Sequence, residues 1–361
     1  MYPALAVARA LRHAQPDLEL SYIGGARGLE RLLVVGESIA YHQLVVRSLR
    51  SAGADLHRVT DPLRLAASVP QALWLLGRLR PAAIFTSGGY LALPLVLAAR
   101  SRRIPTLVWE GNVIPGRANA AVGRLATRVA VSFPPTMDRF PGRSFVSGTP
   151  IRSLAGIDRA AARSSFGAAA DDRVLLVFGG SQAVARLSAA LGGALEELLV
   201  DWRVIHLAGE AGMGEALALR DRLPEALADR YQPLAFLTDR MADALVAADL
   251  VIGRAGSSTC AEVAAAGVAS VLVPYPHAAG HQVANAAWMA DQRAARMVLD
   301  EALDGPRLLA ETSALRDDAA RAAMGAAALR LAQPDAARAI ALELLAMAEG
   351  TPLPSLSGRA A

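Results

Sequence analysis

Lysine is absent from the 361-residue sequence, so all 37 residues counted as lysine plus arginine are arginines. This absence excludes a Schiff-base lysine and the lysine of a Walker A phosphate-binding loop. Cysteine occurs once, as Cys260, which excludes an internal disulfide and a metal site built from several cysteines. The sequence also lacks an apolar run of about 18 residues, the length typical of a membrane span.

The composition is that of a folded protein. Hydrophobic residues make up 53% of the chain and charged residues 19%, and the length allows two domains of ordinary size. The net charge of +4 is too small and too scattered to predict a nucleic-acid partner. The first residues do not follow the order of a signal peptide, so we expect a cytoplasmic protein.

The chain alternates short apolar runs with helical stretches rich in alanine, leucine and arginine. The candidate strands are 19–24, 82–89, 106–111, 127–133, 173–180, 202–209, 231–237, 249–256 and 269–274. Near-continuous apolar runs are typical of strands that helices cover on both faces. The repeated strand–helix pattern therefore predicts an α/β fold with two doubly wound, Rossmann-like parallel-sheet domains.

The predicted domains are residues 1–150 and 151–335, followed by 336–361 as a helix and a loose tail. We place the linker near 148–170, where glycine, proline and aspartate are frequent and no strand is predicted. The last helix could pack on either half. Because ligands of such sheets bind outside the carboxyl ends of the strands, two sheets that face each other predict one shared cleft.

The strongest local signal is a strand at 249–253 that runs into a turn of small residues and then a helix. Small residues allow a ligand to approach the backbone, and the helix N-terminus favours a phosphate or diphosphate. Ser257, Ser258 and Thr259 add hydroxyl groups, and Glu262 could accept hydrogen bonds from two ribose hydroxyls. A capped helix without a ligand is the alternative that these residues leave open.

Two weaker strand–turn–helix signals contain glycine pairs. At 177–187, Ser181 would cap the helix or touch a phosphate, although a purely structural turn is the favoured interpretation. After the strand at 82–89, Gly88 and Gly89 could present Tyr90 to the cleft, and an ordinary loop is the alternative.

Polar residues also follow two other strands. Glu110 and Asn112 end the strand at 106–111, where catalytic groups cluster, although a lone glutamate there is more often a helix cap. His277 and His281 have the spacing of zinc ligands, but no carboxylate follows as a third ligand, so we predict no metal. We interpret their neighbours Gln282 and Asn285 as hydrogen-bonding groups for sugar hydroxyls.

The stretch 61–81 mixes leucines and Trp74 with Arg64, Arg78 and Arg80. Such a helix could rest on an anionic membrane surface, with its apolar face in the lipid. A helix packed on its own sheet is the alternative, and the residues alone favour it.

Six motifs in fixed order are more specific than any one of them. They are GGYLALP (88–94), WEGNVIPGRAN (109–119), SGTPIR (147–152), FGGSQ (178–182), RAGSSTCAEVAAAG (254–267) and VPYPHAAGHQVANA (273–286). Together they resemble the MurG family of bacterial glycosyltransferases, which add N-acetylglucosamine to lipid I to make lipid II. The likeness runs from about residue 2 to 335.

The resemblance implies a GT-B fold, with the lipid-linked acceptor on the N-terminal half and UDP-N-acetylglucosamine on the C-terminal half. It implies an inverting transfer at the cytoplasmic face of the cell membrane, by a peripheral enzyme without a cofactor or metal. A lipid acceptor also makes membrane contact by residues 61–81, Arg100, Arg102 and Arg103 a stronger expectation.

The donor-side residues follow from the matching motifs. Those assigned to donor binding are Arg152, Ser181, Leu237, Met241, Ser257, Ser258, Thr259, Glu262 and Gln282. Residues 257–259 and Glu262 would hold the diphosphate and the ribose, while Arg152 and Ser181 would contact the phosphates or the sugar. Gln282 would contact the N-acetylglucosamine.

The residues near the uracil and near the acceptor also follow from the matching motifs. Leu237 or its neighbour Thr238 would meet the uracil through the backbone, with Met241 close by. Asn112 would lie near the reacting centre, and the acceptor side would include Gly88, Gly89 and Tyr90.

The sequence departs from the family pattern at its start. Family members begin with a strand and a GGTGGH-like loop, directly before a segment like YPALAVA, and Met1 stands where that loop should end. In the family, that loop carries a histidine that is the usual candidate to assist deprotonation of the acceptor hydroxyl. We therefore expect either a misassigned start or a degraded gene, and weak UDP-sugar binding with poor turnover for the chain as printed.

Smaller departures are Ala183 in place of a glycine and Ser188 in place of an asparagine. Without the family histidine, Glu110 is the best remaining candidate for the general base. The alternatives are another GT-B enzyme, such as a glycolipid glycosyltransferase or a UDP-sugar epimerase, and a non-catalytic UDP-sugar-binding scaffold.

Overall fold

The computed structural model describes residues 2–25, 30–44, 57–89, 91–179 and 185–353. They form two units. The first contains the described residues up to Ile151 together with those from Asp335 onward, and the second runs from Arg152 to Pro334.

In the first unit, helices alternate with short parallel strands. The elements are α1 (Tyr2–Ala14), β1 (Ser21–Gly24), α2 (Glu30–Gly36), β2 (Ala40–Gln43), α3 (His57–Leu79), β3 (Ile84–Thr86), α4 (Ala92–Ser101), β4 (Thr106–Glu110), α5 (Arg117–Leu125), β5 (Arg128–Val131), a 3₁₀ helix (Pro134–Arg139), β6 (Ser144–Val146) and α16 (Ala336–Glu349). The described strands form two separate sheets, β1–β2 and β3–β4–β5–β6. The sequence analysis did not predict β2 and β6.

The last helix, α16, packs on α1. Val7 and Leu11 on the apolar stripe of α1 share a core with Ile340 and Leu344 of α16. A buried ion pair fixes the helix further, because Nε of Arg128 on β5 lies 2.5 Å from a carboxylate oxygen of Glu343.

Helix α3 covers most of the stretch 61–81 and packs on its own unit. Ala72 and Leu76 are buried in a core with Leu95 and Ala98 of α4. Trp74 lies on another face of α3 and is 62% exposed. In the described part of the chain, no helix has both the length and the apolar character that crossing a membrane requires.

The second unit is a six-stranded parallel sheet with helices. Its elements are α6 (Arg159–Ser165), β7 (Arg173–Phe178), α7 (Ala185–Gly192), α8 (Leu195–Asp201), β8 (Trp202–Leu207), α9 (Gly209–Asp221), α10 (Glu225–Ala228), β9 (Tyr231–Leu234), α11 (Met241–Ala247), β10 (Leu250–Gly253), α12 (Ser257–Ala266), β11 (Ala269–Leu272), α13 (His281–Asp291), β12 (Arg296–Met297), a 3₁₀ helix (Asp300–Ala302), α14 (Gly305–Ala314) and α15 (Asp318–Leu329).

The strand order of this sheet is β12–β11–β10–β7–β8–β9. From β7 the chain proceeds to β8 and β9 on one side, and then to β10 on the other side. The order therefore reverses between β7 and β10, and ligands of open parallel sheets bind at the carboxyl ends of strands at such a point. The turn after β10 lies there. The short strand β12 was not predicted.

Helix α6 lies inside the predicted linker but belongs to the second unit. Arg163 is buried and donates to Oδ2 of Asp249 (3.0 Å) and to the carbonyl of Ala247 (3.2 Å). The same carboxylate oxygen accepts from the backbone N–H of Val174 (2.8 Å). The linker is therefore shorter than 148–170, because this arginine ties the helix to the beginning of two strands.

Candidate nucleotide-sugar site

The small-residue turn after β10 leads directly into α12. Gly256 is the N-cap residue with an extended backbone (φ −66°, ψ 153°), and it has no side chain to cap the helix. Ser257, Ser258 and Thr259 form the first turn of α12. The alternative of a helix capped by a serine or threonine side chain therefore does not describe how α12 begins. Its N-terminus is built from backbone N–H groups and hydroxyls, which is a favourable arrangement for an anion.

Glu262 lies in the next turn of α12 and is buried, with 8% of the residue exposed. Burial raises the pKa of its carboxyl group, and the guanidinium of Arg152 opposes that rise. Nε of Arg152 is 3.4 Å from Oε1 of Glu262. Arg152 also donates from Nη1 to the carbonyl oxygen of Thr238 at 2.8 Å. One arginine thus joins the carboxylate to the loop after β9.

The loop between β9 and α11 leads into the residues that the sequence analysis placed near the uracil. Leu237 is half-buried, and Met241 is buried at the start of α11. Phe236, which the sequence analysis did not select, is 52% exposed on the same loop. A large exposed aromatic residue next to Leu237 is a signal that could have identified it.

A set of buried polar side chains supports the turn from behind. Nδ2 of the fully buried Asn285 donates to the carbonyl of Ala255 at 3.1 Å. Arg254, also buried, donates to Oδ1 of Asp300 at 2.5 Å. Asn285 therefore holds the backbone of the turn, which differs from the sequence-based expectation that it contacts a sugar hydroxyl. Neither Arg254 nor Asp300 was selected from the sequence, because nothing local indicates that this arginine is buried.

Gln282 lies half-buried in the first turn of α13. Its side-chain oxygen accepts a hydrogen bond from the backbone N–H of Tyr275 at 2.9 Å. Its predicted contact with the donor sugar stays a prediction. Ser181 and Tyr90, two further predicted site residues, lie outside the described residues.

In the first unit, Glu110 ends β4 and is buried. Its Oε1 accepts hydrogen bonds from the backbone N–H (2.9 Å) and Nδ2 (3.1 Å) of Asn112, and its Oε2 accepts from the N–H of Gly116 (3.2 Å). Glu110 thus shapes the loop that leads into α5. Its role as a general base stays a prediction.

Gly88 and Gly89 follow β3 with left-handed φ values of +87° and +82°. This backbone conformation favours glycine at both positions. The pair lies at the carboxyl end of its parallel strand, on the same edge of the sheet as Glu110 at the end of β4.

His277 lies before α13 and His281 begins that helix, so the two histidines with the spacing of zinc ligands are not on one helix. Within the described ranges, no three His, Cys, Asp or Glu side chains come together as a cation site. His277 instead packs edge-on against Tyr275, with ring centroids 5.3 Å apart.

Family models match both units. The N-terminal domain of glycosyltransferase family 28 matches residues 1–131, and the C-terminal domain of the same family matches residues 174–340. The chain belongs to glycosyltransferase family 28. The second match includes α12 and the loop after β9.

Two curated relatives in the family are similar over nearly their whole length. Both are named UDP-N-acetylglucosamine–N-acetylmuramyl-(pentapeptide) pyrophosphoryl-undecaprenol N-acetylglucosamine transferase. The protein from Desulforudis audaxviator is 37% identical over 344 residues, which cover 93% of this chain and 92% of the relative. The protein from Nocardioides sp. is 39% identical over 361 residues, with 97% and 95% covered.

Solved structures agree with the family assignment. MurG from Acinetobacter baumannii matches with a TM-score of 0.76 and 30% identity, covering 95% of each chain. A UDP-glucose: anthocyanidin 3-O-glucosyltransferase in complex with UDP matches with a TM-score of 0.68 and 14% identity, which supports the fold alone. The predicted GT-B class, with two Rossmann-like parallel-sheet domains, is confirmed.

Proposed function

We propose that this chain transfers N-acetylglucosamine from UDP-N-acetylglucosamine to lipid I, a lipid-linked N-acetylmuramyl-peptide diphosphate, and so forms lipid II in peptidoglycan synthesis. The observation that carries the proposal is the Arg152–Glu262–Thr238 arrangement beside the N-terminus of α12. The reaction printed in the names of the curated relatives supports the same donor and acceptor.

The donor binds in the second unit. The N-terminus of α12 receives the diphosphate, because backbone N–H groups and the helix dipole stabilise negative charge. The carboxylate of Glu262 accepts hydrogen bonds from the ribose hydroxyls, and the backbone around Leu237 and Thr238 meets the uracil. The position of this donor site is supported by the strand order of the second unit. The order reverses between β7 and β10, and ligands of open parallel sheets bind at the carboxyl ends of the strands at such a point.

The chemical step is a direct displacement at the anomeric carbon with inversion. The C4 hydroxyl of the N-acetylmuramyl sugar attacks, its proton passes to a base, and UDP departs with the glycosidic electron pair. The positive charge of Arg152 and the N-terminus of α12 stabilise the charge that develops on UDP. Glu110 is the candidate base on this chain, and its three hydrogen bonds to the 111–116 loop also make it a positioning group for Asn112.

The enzyme acts at the cytoplasmic face of the cell membrane as a peripheral protein. The exposed side of α3 supports this location: the guanidinium of Arg78 lies 5.7 Å from the ring centre of Trp74. Arg102, which follows α4, approaches α3 at Gly77, where an added Cβ would lie 2.6 Å from one of its guanidinium nitrogens. An exposed aromatic ring beside an arginine suits an anionic lipid surface.

A transfer assay tests the reaction. Purified chain is incubated with radiolabelled UDP-N-acetylglucosamine and a short-chain lipid I analogue, and the lipid II product is identified by mass spectrometry.

We expect Glu262→Ala to weaken UDP binding by about 1–3 kcal/mol, since the site loses a hydrogen-bonding partner. Glu225→Ala, an exposed glutamate on α10, is the matched control. Unchanged UDP affinity in Glu262→Ala would remove this residue from the site.

The same assay separates the alternatives. A UDP-sugar epimerase changes the donor sugar without an acceptor, and a scaffold binds the donor and produces neither product.

Sedimentation with anionic vesicles tests the membrane contact. Trp74→Ala should reduce binding to the vesicles, whereas Val200→Ala, at an exposed apolar residue of the second unit, should not.

A further inference from the structure

The turn after β3 is shaped around one side chain of α5. A Cβ added at Gly88 would lie 1.8 Å from Oδ1 of Asn119, whereas a Cβ added at Gly89 would meet nothing within 4 Å. Both glycines have left-handed φ values, which favour glycine at both positions. Only Gly88 has a steric requirement as well, because a side chain there would collide with Asn119.

Side chains satisfy both backbone N–H groups of this glycine pair. The N–H of Gly88 donates to Oγ1 of Thr86 at 3.0 Å, and the N–H of Gly89 donates to Oδ1 of Asn119 at 3.1 Å. The glycine pair therefore contributes a shape, and not two amide donors for an anion.

Asn119 joins this turn to the neighbouring strand. It is the third residue of α5, and its Nδ2 donates to the carbonyl oxygen of Trp109 at 3.4 Å. A single amide thus ties the chain after β3 to the end of β4. Both strand ends lie on the edge of a parallel sheet where ligands bind.

We propose that Asn119 is a positioning residue that sets the Gly88–Gly89 turn for the lipid-linked acceptor. The acceptor part rests on the proposed function, since the donor is assigned to the other unit. The contact between Asn119 and the turn does not depend on that assignment. Asn119 touches no reacting atom and acts through the backbone that it holds.

Hydrogen exchange and kinetics test the proposal on the full chain. Asn119→Ala should accelerate exchange of the Gly89 N–H and lower kcat/KM for the acceptor by about tenfold, with the Kd for UDP-N-acetylglucosamine unchanged. Asn119→Asp keeps an oxygen for the Gly89 N–H but loses the Nδ2 donor to the Trp109 carbonyl, so it should retain the slow exchange while losing part of the acceptor activity.

The two glycines provide a matched pair of controls. Gly88→Ala and Gly89→Ala both force alanine into a left-handed conformation, but only Gly88→Ala displaces the Asn119 amide. We expect the larger loss of acceptor activity for Gly88→Ala. In the Asn119→Ala background the same substitution should cost less, because the colliding atoms are gone, and a double-mutant cycle measures that coupling.

Two results would overturn the proposal. Unchanged Gly89 exchange in Asn119→Ala removes the contact, and an equal fall of donor and acceptor affinity together with a lower Tm reduces Asn119 to a folding role. Where the wild-type chain binds the donor and transfers nothing, the acceptor part fails with the proposed function. The exchange result still decides whether Asn119 holds the turn.

Discussion

The guanidinium of Arg152 lies 3.4 Å from the carboxylate of Glu262 and at the same time donates to the carbonyl of Thr238. Burial alone would favour the neutral form of Glu262, and the positive charge of Arg152 works in the opposite direction. This contact therefore keeps a buried carboxyl group closer to the ionised state in which it accepts hydrogen bonds from hydroxyls.

Arg152 should control the pH dependence of donor binding. In Arg152→Ala, burial raises the pKa of Glu262 without opposition, so the carboxylate is lost at a higher pH as the solution is acidified. We expect the midpoint of the acid-side loss of UDP-N-acetylglucosamine affinity to move to higher pH, measured by calorimetric titration across a pH series. Arg159→Ala is the control, because that arginine pairs with Asp249. A midpoint that stays in place would contradict the electrostatic role.

Glu262→Gln should separate donor binding from folding. The folded state raises the pKa of Glu262, so the unfolding free energy of the wild type decreases as the pH rises through that raised pKa. Glutamine carries no charge and avoids this loss. We expect weaker UDP-N-acetylglucosamine binding, by about tenfold, with an equal or higher Tm at neutral pH. A lower Tm that parallels the affinity would instead indicate damage to the fold.

The buried ion pair between Arg128 and Glu343 should fix α16 on the first unit. Glu343→Gln removes the negative charge opposite the buried Arg128 guanidinium, and breaking a buried ion pair in this way costs about 3–5 kcal/mol of unfolding free energy. The double variant Arg128→Met, Glu343→Leu should recover most of that loss, because no buried charge remains. Urea denaturation measures both. An undisturbed Glu343→Gln variant would show that water reaches the pair.

The long apolar strands could be predicted because a buried parallel strand leaves a local pattern. β7, with the sequence RVLLVF, is such a case. The missed strands are short or half-exposed: β2 reads AYHQ and β12 has two residues, Arg296 and Met297. Their pairing with neighbouring strands, and not their composition, makes them strands.

The residues of the candidate site also differ in whether the local sequence was enough to predict them. Glu262 and its neighbours on α12 lie in one strand–turn–helix segment, so local chemistry was enough to select them. Arg152 is 110 positions away and was reached only through the family resemblance. The contact between Gly88 and Asn119 spans 31 positions and depends on how α5 packs against the sheet, which neither residue type reveals.

His206 on β8 should make the second unit sensitive to acid. Its Nε2 lies 2.9 Å from Oγ of Ser188 and its Nδ1 lies 2.8 Å from the hydroxyl of Tyr231. Burial lowers the pKa of His206 from 6.5 to about 4. Below pH 6.5 the unfolded chain therefore binds a proton at His206 that the folded chain does not bind. The contribution of His206 to the unfolding free energy is complete above the pKa of the unfolded state and is lost as the pH falls below it.

The full loss for His206 corresponds to about 3 kcal/mol of unfolding free energy. His206→Gln should lose this part of the acid dependence while being less stable at neutral pH, because its amide fits the Ser188 and Tyr231 contacts less well. His277→Gln, an exposed histidine, is the control and should keep the wild-type dependence. Thermal unfolding at neutral and mildly acidic pH gives the comparison. Parallel losses in the wild type and His206→Gln would assign the acid sensitivity to other groups, such as the carboxylates paired with arginines at the strand ends.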